Sequence, residues 1–336
     1  MSDSILVLSG KQICELLHGR ENELISVVRS AYELHYRGDS SLPHSSFLRL
    51  NGNGGNRIIA LSAYLGGEKP VAGLKWIASF PDNLKRGLER ASAVIILNST
   101  ETGLPIAILE GAVISAKRTA ASAALAARSL VDPGRAVRLG FLGCGRINYE
   151  IARFLGVVFP GVQRILASDL DSNRTMQFAH RIKEFFPFAL IECAREREDV
   201  MEQSSLISIA TTAARPYIED LSICAPGPVI LGISLRDLSP SLVLKADNVV
   251  DDRNHVCREQ TSLHLAEMAS GNRDFIRCSL AEITLGEQPA RTPAPFTLFS
   301  PFGLGILDIA VSARALELAA AGHIGQQLEQ FCQCNY

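Results

Sequence analysis

The chain has 336 residues, of which 47% are hydrophobic and 20% are charged, so it is long enough for about two globular domains with substantial cores. Its formal net charge of −2 argues against a nucleic-acid or anionic-membrane partner, because such partners require a local excess of Lys and Arg. The segment MSDSILVLSG lacks the basic and long apolar regions of a signal peptide, and no segment reaches the roughly 20 apolar residues of a membrane span. These features predict a soluble cytoplasmic protein.

The first 130 residues predict a β-rich domain. An amphipathic helix is expected from Glu23 to Arg37. From Ser115 to Leu130 an alanine-rich stretch predicts a closely packed helix, and VDPG at Val131 indicates a domain boundary. Between the two helices, turns such as NGNGGN at Asn51 separate strand-like runs: SSFLRL near Arg49, and runs that begin at Arg57, Val71, Ala91 and Leu104.

The clearest motif is RLGFLGCGRINYEIARFLG, from Arg138 to Gly156. A strand-like run meets Gly143, which permits a tight turn, and Gly145, which lets the backbone approach a pyrophosphate at the start of a helix. A second strand-like run, RILASD, ends in Asp169, whose carboxylate can accept hydrogen bonds from both ribose hydroxyls. This layout predicts a dinucleotide-binding βαβ unit. Asn148 stands where the usual pattern has glycine or alanine.

Strand and helix patterns alternate after Arg138, which predicts a Rossmann-type, doubly wound parallel sheet with helices on both faces. The run GILDIAVSARALELAAAG predicts a long helix from about Gly305 to Gly322 that packs back on the first domain. The expected fold class is therefore α/β: a β-rich α+β domain of residues 1–130 completed by 305–336, and a Rossmann domain of residues 131–304.

Three cationic side chains of the first domain are candidates for substrate binding. Lys75 lies in the apolar run GLKWIAS, on the face opposite Leu74 and Trp76. It is either a lysine that extends into water or a partly buried lysine with a depressed pKa, able to act as acid, base or carboxylate partner. Arg49 and Arg118 suit bidentate binding of an α-carboxylate, or else belong to ordinary surface ion pairs.

Two aspartates are weaker candidates. Asp237 follows the predicted strand PVILGISL, at the edge where open α/β sheets bind ligands, and it either moves protons or caps a turn. Asp308 lies in a helical pattern, and we expect it to cap or brace the cofactor region rather than to act directly.

The cysteines and histidines do not indicate a metal site. Eight cysteines are scattered without a CxxC pair, and the CxC at Cys332 and Cys334 lies in a polar tail. The seven histidines form no cluster with ligand spacing, and neither HExxH nor GxSxG occurs. We expect free thiols, no metal and no acyl-transfer triad.

The runs ERASAVIILNSTETGLPIAILEGAVISAKRTAAS, FLGCGRIN and SPFGLGILDIA together resemble the ornithine cyclodeaminase/μ-crystallin family over nearly the whole chain. The resemblance implies that the β-rich domain binds substrate and forms a homodimer, and that the Rossmann domain binds NAD or NADP. Asp169 favours NAD, because its carboxylate would repel the 2′-phosphate of NADP.

The resemblance also assigns roles to residues. It places the substrate carboxylate on Arg49, Lys75 and Arg118, and it makes Lys75 and Asp237 the expected catalytic residues. The implied cofactor contacts are Arg118, Thr119, Gly143, Gly145, Arg146, Ile147, Asp169, Thr211, Gly232, Ser234 and Leu235.

The segments RIIAL, GLKWI, ERASAVIILN and ISAKRTAAS are most similar to a narrower branch, the dehydrogenases of 2,3-diaminopropionate biosynthesis for siderophores or peptide antibiotics. These enzymes use NAD⁺ to oxidise N-(2-amino-2-carboxyethyl)-L-glutamate, the product of a partner PLP-dependent synthase, and water then releases 2-oxoglutarate and L-2,3-diaminopropionate. Because this substrate has three carboxylates, Arg90 is a further expected substrate contact. Lys75 or Asp237 would move the protons.

Alternative functions remain open at this point. Ala60 stands where the cyclodeaminases have a glutamate, and SLRDLSPS stands where they have GGDxPGK, which argues against ornithine cyclisation. Another amino-acid dehydrogenase or a ketimine reductase of the same family fits the same residues. A non-enzymatic NAD(P)H-binding protein fits as well, since Arg174 near Asp169 could reach a 2′-phosphate.

Overall fold

The computed structural model describes residues 4–50, 55–132, 134 and 136–332. The chain divides into two compact units, a first unit that runs to Arg118 and resumes at Leu304, and a second unit of Thr119–Gly303. The division falls inside one helix, whereas the sequence places the boundary near Val131, at the carboxyl end of that helix. Parts of three predicted features lie outside the described residues: the turn at 51–54, position 133 of VDPG, and Cys334.

The described ranges contain sixteen strands, eleven α-helices and one 3₁₀ helix. The strands are β1 (Ser4–Leu8), β2 (Ser40–Ser41), β3 (Ser46–Arg49), β4 (Arg57–Leu65), β5 (Val71–Ser79), β6 (Ala91–Asn98), β7 (Pro105–Glu110), β8 (Arg138–Leu142), β9 (Arg164–Ser168), β10 (Leu190–Cys193), β11 (Leu206–Ile209), β12 (Val229–Gly232), β13 (Asp247–Val250), β14 (Ile276–Ser279), β15 (Thr297–Ser300) and β16 (Gln326–Glu329). The helices are α1 (Gly10–Leu16), α2 (Glu21–Tyr36), α3 (Gly111–Leu130), α4 (Arg146–Val158), α5 (Ser172–Ile182), α6 (Arg197–Gln203), α7 (Pro240–Val243), α8 (Arg253–Val256), α9 (Ser262–Ser270), α10 (Leu280–Thr284) and α11 (Gly305–Gly322), with a 3₁₀ helix at Pro81–Arg86.

The first unit contains a mixed sheet in the order β16-β1-β7-β6-β5-β4-β2, with β3 also paired to β4. Strands β3 to β7 form antiparallel ladders, and β1 joins β7 in parallel. One face of this sheet is buried. Residues along its strands alternate between apolar and polar, as expected of a sheet that is covered on one side. The buried face includes Leu61, Ala63, Ile95, Leu97, Ala107 and Leu109.

Helix α11 covers this buried face, where it packs on β4, β5 and β6 beside α2. Gly73 allows the close approach of the helix, because a Cβ there would lie 3.1 Å from Cγ2 of Ile309 and 2.5 Å from the carbonyl oxygen of Ile96. The prediction that the helix at Gly305–Gly322 packs on the first domain is therefore correct.

The second unit contains a sheet of eight parallel strands in the order β10-β9-β8-β11-β12-β15-β13-β14. Strands β11, β12 and β13 are buried along their whole length, as expected of a parallel sheet covered on both faces. Strand order runs outward in both directions from β8 and β11, so the turns that follow these two strands lie side by side at the edge where such sheets bind ligands. The α/β fold class predicted from the alternating pattern is confirmed.

Two further properties concern the described residues as a whole. None of their helices combines the length and the apolar character needed to cross a lipid bilayer. Within the same ranges, no three side chains of His, Cys, Asp or Glu are grouped so that they could hold a metal ion.

Candidate active site

The first unit places a buried ion-pair cluster at the centre of its sheet. Lys75 lies in the middle of β5 and is 2% exposed, between Leu61 and Ile95 on the neighbouring strands. Its Nζ donates to Oδ2 of Asp308 at 2.6 Å and to Oγ of Ser115 at 3.3 Å. The interpretation of Lys75 as a lysine that extends into water is therefore wrong, and the buried interpretation is correct.

Asp308 also holds the second cation of this cluster. The Nε of Arg118 donates to Oδ1 of Asp308 at 3.1 Å, and its Nη2 lies 3.5 Å from Oγ of Ser115. We call Lys75, Ser115, Arg118 and Asp308 the Lys75 cluster. It sets two cationic side chains against one carboxylate, all of them buried, so the cluster has a net positive charge when Lys75 is protonated.

The surroundings of Lys75 shift its pKa towards neutrality. Burial is the largest effect and favours the neutral amine, whereas the carboxylate of Asp308 favours the ammonium and Arg118 disfavours it. Together they lower the pKa of Lys75 from 10.5 to about 8. A lysine with this pKa can both accept and donate a proton near neutral pH.

Asp308 braces Lys75 and Arg118, of which Arg118 is itself an expected cofactor contact. Asp308 lies in the first turn of α11, in the first unit, and its side chain is fully buried against Lys75 and Arg118. The sequence offered one signal for the pairing of Asp308, a single acid in an otherwise apolar helical run, because buried carboxylates are rare unless they are paired. Ser115 was missed too, although its position three residues before Arg118 puts both on one helix face.

Arg49 lies apart from the Lys75 cluster. It is exposed at the end of β3, where its guanidinium carbon lies 5.8 Å from the centre of the Phe47 ring. In the sheet Arg49 pairs with Arg57, which pairs with Ser79 on β5. Because Ser79 follows Lys75 by four residues, Arg49 shares the sheet face of Lys75 at a distance of about 13 Å along the strands.

Arg90 lies at the same end of the sheet as Arg49. It immediately precedes β6, and its neighbour Ala91 pairs with Ser79. Its side chain is partly buried, which lowers the pKa of the guanidinium. With Arg57, which the sequence analysis missed, this end of the sheet carries three arginines.

The second unit forms the expected glycine turn between β8 and α4. Gly143 has a φ of 86°, and a Cβ there would lie 2.5 Å from the carbonyl oxygen of Ala210, so only glycine fits. Gly145 caps α4, and among the described residues no heavy atom lies within 4 Å of a Cβ built on it. The turn thus leaves the start of α4, with Arg146 and Ile147 in its first turn, accessible to an anion.

Asp169 is held beside this turn. Its Oδ2 accepts a hydrogen bond from the backbone N–H of Cys144 at 2.7 Å, and its Oδ1 accepts one from the backbone N–H of Asp171 at 3.1 Å. Burial and the nearby carboxylate raise the pKa of the Cys144 thiol to about 12, so the thiol stays neutral. Both oxygens of the Asp169 carboxylate are therefore held beside the glycine turn.

Asn148 replaces the small residue of the motif with a buried clamp. Its Nδ2 donates to the carbonyl oxygens of Leu142 at 3.0 Å and Gly143 at 2.6 Å. Its Oδ1 accepts from the hydroxyl of Ser208 on β11 at 2.7 Å. The side chain thus ties the glycine turn to the neighbouring strand, which explains why a polar residue is tolerated at a fully buried position.

Asp237 lies at the carboxyl ends of β11 and β12 and is 1% exposed. The hydroxyl of Thr211 donates to one oxygen of its carboxylate and that of Ser234 to the other. Tyr217 forms a third side-chain hydrogen bond with it. Burial raises the pKa of Asp237, and the three hydroxyl donors oppose that rise.

A small cavity lies beside this network, between the ends of β12 and β15 and the start of α9. Three of the expected cofactor contacts line it, Gly232, Ser234 and Leu235, together with Thr261 and Ser300. Thr119 lies on α3, which precedes all strands of the second sheet in the sequence. The structure thus assembles the glycine turn, Asp169, Thr211 and the Gly232–Leu235 segment along one edge of the second sheet.

Comparisons with known proteins show the family and the fold of this chain. The model of the ornithine cyclodeaminase/mu-crystallin family matches residues 16–322. The chain is 29% identical to N-((2S)-2-amino-2-carboxyethyl)-L-glutamate dehydrogenase of Staphylococcus aureus, over 98% of this chain and 100% of that protein. It is 27% identical to alanine dehydrogenase of Archaeoglobus fulgidus, over 97% and 98%.

A solved structure with the same fold is Δ1-pyrroline-2-carboxylate reductase of Thermococcus litoralis in complex with NADH and L-proline. It superposes with a TM-score of 0.89 at 25% identity, covering 96% of this chain and 99% of that one.

Proposed function

This chain belongs to the ornithine cyclodeaminase/mu-crystallin family, and from that premise we propose that it is an NAD-dependent dehydrogenase of N-(2-amino-2-carboxyethyl)-L-glutamate. The products are L-2,3-diaminopropionate and 2-oxoglutarate. The Staphylococcus aureus relative bears the name of this activity and matches over its whole length. The observation that carries the proposal is the Lys75 cluster, whose two cations and one carboxylate leave a buried positive charge for an amino-acid carboxylate.

The cofactor is NAD. The glycine turn, the accessible start of α4 and the fixed carboxylate of Asp169 provide sites for a pyrophosphate and an adenosine ribose. The relative from Thermococcus litoralis was solved with NADH. A carboxylate at Asp169 disfavours the 2′-phosphate of NADP by charge repulsion.

The reaction needs a hydride acceptor and proton transfers. NAD⁺, when bound, accepts the hydride from the glutamyl α-carbon, which leaves a C=N bond to the bridging nitrogen. Water adds to this bond, and the C–N bond then breaks to give a ketone and a primary amine. Lys75, with a pKa of about 8, is suited to take a proton from the attacking water and to return one to the leaving nitrogen.

Asp237 is the second candidate for proton transfer. Its carboxylate already accepts hydrogen bonds from Thr211, Ser234 and Tyr217, and it is almost fully buried. These contacts favour a role in fixing the loops after β11 and β12, and they favour Lys75 as the group that moves protons.

The substrate has three carboxylates, and the first unit offers cations at two places. The Lys75 cluster suits the carboxylate next to the reacting carbon. Arg49, Arg57 and Arg90 at the end of the sheet suit the more distant carboxylates.

An amino-acid dehydrogenase of another specificity is the second candidate, because alanine dehydrogenase of Archaeoglobus fulgidus matches 97% of the chain. The alanine at position 60 does not distinguish cyclodeamination from these dehydrogenase activities. Ala60 pairs with Trp76 and so lies on the sheet face opposite Lys75, where a glutamate would point away from the Lys75 cluster. Ala60 therefore gives little reason to exclude cyclodeamination.

We further propose that the enzyme is a homodimer. The sheet face opposite Lys75 carries Leu48, Tyr64, Trp76 and Ile106, which are 37–48% exposed. A patch of large apolar side chains on one flat sheet face is typical of a protein interface, and a second copy offers the same patch. In size-exclusion chromatography with light scattering, Trp76→Glu should give monomers, whereas Leu170→Glu, at an exposed leucine of the second unit, should stay dimeric.

A synthase that makes this substrate joins the amino nitrogen of glutamate to the β-carbon of a second amino acid, which loses its β-substituent, and PLP enzymes perform such β-replacements. We therefore propose a cytoplasmic pairing with a PLP-dependent synthase, for siderophore or peptide antibiotic biosynthesis.

The decisive test is a substrate assay. Purified enzyme, NAD⁺ and the glutamate conjugate should produce NADH, 2-oxoglutarate and L-2,3-diaminopropionate in equal amounts, followed by absorbance and mass spectrometry. L-alanine, L-ornithine and L-proline serve as comparison substrates, and Lys75→Met serves as the inactive control. Oxidation of alanine or proline without oxidation of the conjugate would overturn the proposed substrate. Tighter binding of NADPH than NADH, with no turnover of any substrate, would favour a binding protein.

A further inference from the structure

Asp308 is buried, and each of its two carboxylate oxygens faces a different cation. Oδ2 accepts from Nζ of Lys75 at 2.6 Å, and Oδ1 accepts from Nε of Arg118 at 3.1 Å. Ser115 stands near both cations and carries no charge. The two partners come from β5 and α3, so one carboxylate on α11 connects the three elements that form this end of the site.

We propose that Asp308 is the positioning residue of the Lys75 cluster, which holds Lys75 at the substrate and sets the pH range in which Lys75 carries a proton. This inference rests on the proposed function only in assigning proton transfer to Lys75. Asp308 itself contacts protein groups rather than the reacting atoms.

The charged groups that act on Lys75 are few. Asp308 faces it from α11 and Arg118 from α3, while the adjacent strands present Leu61 and Ile95, which are uncharged. Burial and Arg118 both favour the neutral amine, so Asp308 is the group that keeps the ammonium form available near neutral pH.

The same contact fixes the position of the amine. A lysine side chain has four rotatable carbons and loses catalytic effect when its nitrogen moves by about 1 Å. The short bridge to Asp308 and the hydrogen bond to Ser115 hold Nζ from two directions. Without the carboxylate, the amine would be repelled by Arg118 and would lose both its place and its proton.

The proton affinity of Lys75 can be measured without substrate. The chain has seven lysines, so protein labelled with carbon-13 at lysine Cε gives few signals, and the Lys75 signal is the one missing in Lys75→Met. In Asp308→Asn the pKa of Lys75, about 8 in the wild type, should fall by about one unit or more. The pH limb of kcat/KM that belongs to Lys75 should move down with it, and kcat should drop about 10- to 100-fold.

Glu317→Gln is the matched control. It also removes a carboxylate of α11 that bridges two cations, Lys69 and Arg314, but outside the Lys75 cluster. It should leave the pKa of Lys75 and kcat unchanged. An unchanged pKa of Lys75 in a folded Asp308→Asn would overturn the inference, whatever the substrate proves to be.

Asp308→Asn leaves two buried cations unbalanced and is the variant at risk of not folding. The double variant Asp308→Asn/Arg118→Gln restores the original net charge of the cluster. Because Asp308 acts on Lys75 more strongly than Arg118 does, the pKa of Lys75 in the double variant should still lie below the wild-type value. A pKa equal to or above the wild-type value would contradict a controlling role for Asp308.

Discussion

The two units use different chemistry at their candidate sites. In the first unit, the Lys75 cluster consists of charged side chains that are buried and paired with each other. In the second unit, the turn after β8 lies beside the carboxylate of Asp169, and the carboxylate of Asp237 accepts hydrogen bonds from hydroxyl groups. The first arrangement carries the candidate proton-transfer group, and the second carries the candidate NAD-binding groups. Substitutions in the two units should therefore separate turnover from cofactor binding.

The largest expected effect is that of Lys75→Met, which keeps the length of the side chain and removes the amine. We expect kcat to fall by about 10²- to 10⁴-fold, the range for loss of an acid–base group. The affinity for NADH, measured by fluorescence titration, should stay within about twofold of the wild type. Lost NADH affinity with retained turnover would reverse the assignment of the two units.

Asp169→Ala should show the opposite pattern. The variant removes the carboxylate that is held by the N–H of Cys144, and with it the charge-assisted bonds to a ribose. Loss of about 1.5–3 kcal/mol corresponds to an increase of about 10- to 100-fold in Kd for NADH. At saturating NAD⁺, kcat should be nearly unchanged. The preference for NADH over NADPH should also weaken. An unaltered ratio of the Kd values for NADPH and NADH would show that Asp169 does not determine cofactor specificity.

Asn148→Ala should act mainly on stability. It leaves the hydroxyl of Ser208 without its buried acceptor and removes one donor each from the carbonyl oxygens of Leu142 and Gly143, at a cost of about 1–3 kcal/mol. Urea unfolding should show this loss. Ser208→Ala tests the pairing, because the loss in the double variant should be clearly smaller than the sum of the two single losses. Additive losses would mean that Asn148 is not a clamp.

A further expected effect concerns the pH dependence of stability. The pKa of Lys75 is about 8 in the folded protein and 10.5 without its surroundings, so between these values the unfolded state binds more protons. The contribution of Lys75 to the free energy of unfolding should therefore rise with pH from about 8 to 10.5, and should be constant below that window. The difference in free energy of unfolding between wild type and Lys75→Met isolates this contribution from other groups. A difference that falls over this range would contradict the depressed pKa.

Local patterns in the sequence predicted the elements whose signal is local. The long strands β4 to β6, the turn at Gly143 and the helix of Gly305–Gly322 were found because each combines apolar periodicity with turn residues. Strands β14, β15 and β16 were not predicted. They are four residues long, and IRCS and QQLE lack an apolar alternation that distinguishes a strand from a loop.

The candidate site was predictable only in part, because sequence patterns are local and several contacts of the site join distant positions. Lys75, Arg118 and Asp169 were identified from their position in single elements. The partner of Lys75 was not, because Asp308 is 233 positions away and their contact exists only when α11 lies on the sheet. The clamp of Asn148 was missed likewise, since Ser208 is 60 positions away on a neighbouring strand.

The first unit is built from two separate segments of the chain, and this affects the order in which the Lys75 cluster forms. The 185 residues of 119–303 are translated between β7 and α11. At about 5–20 residues per second, the sheet that carries Lys75 waits roughly 10–40 s for the helix that covers it. During that interval the sheet lacks the helix that covers its apolar face, and Lys75 lacks the carboxylate that pairs with it in the folded unit. Because Asp308 arrives with the covering helix, burial of Lys75 and its pairing occur in a single late step of folding.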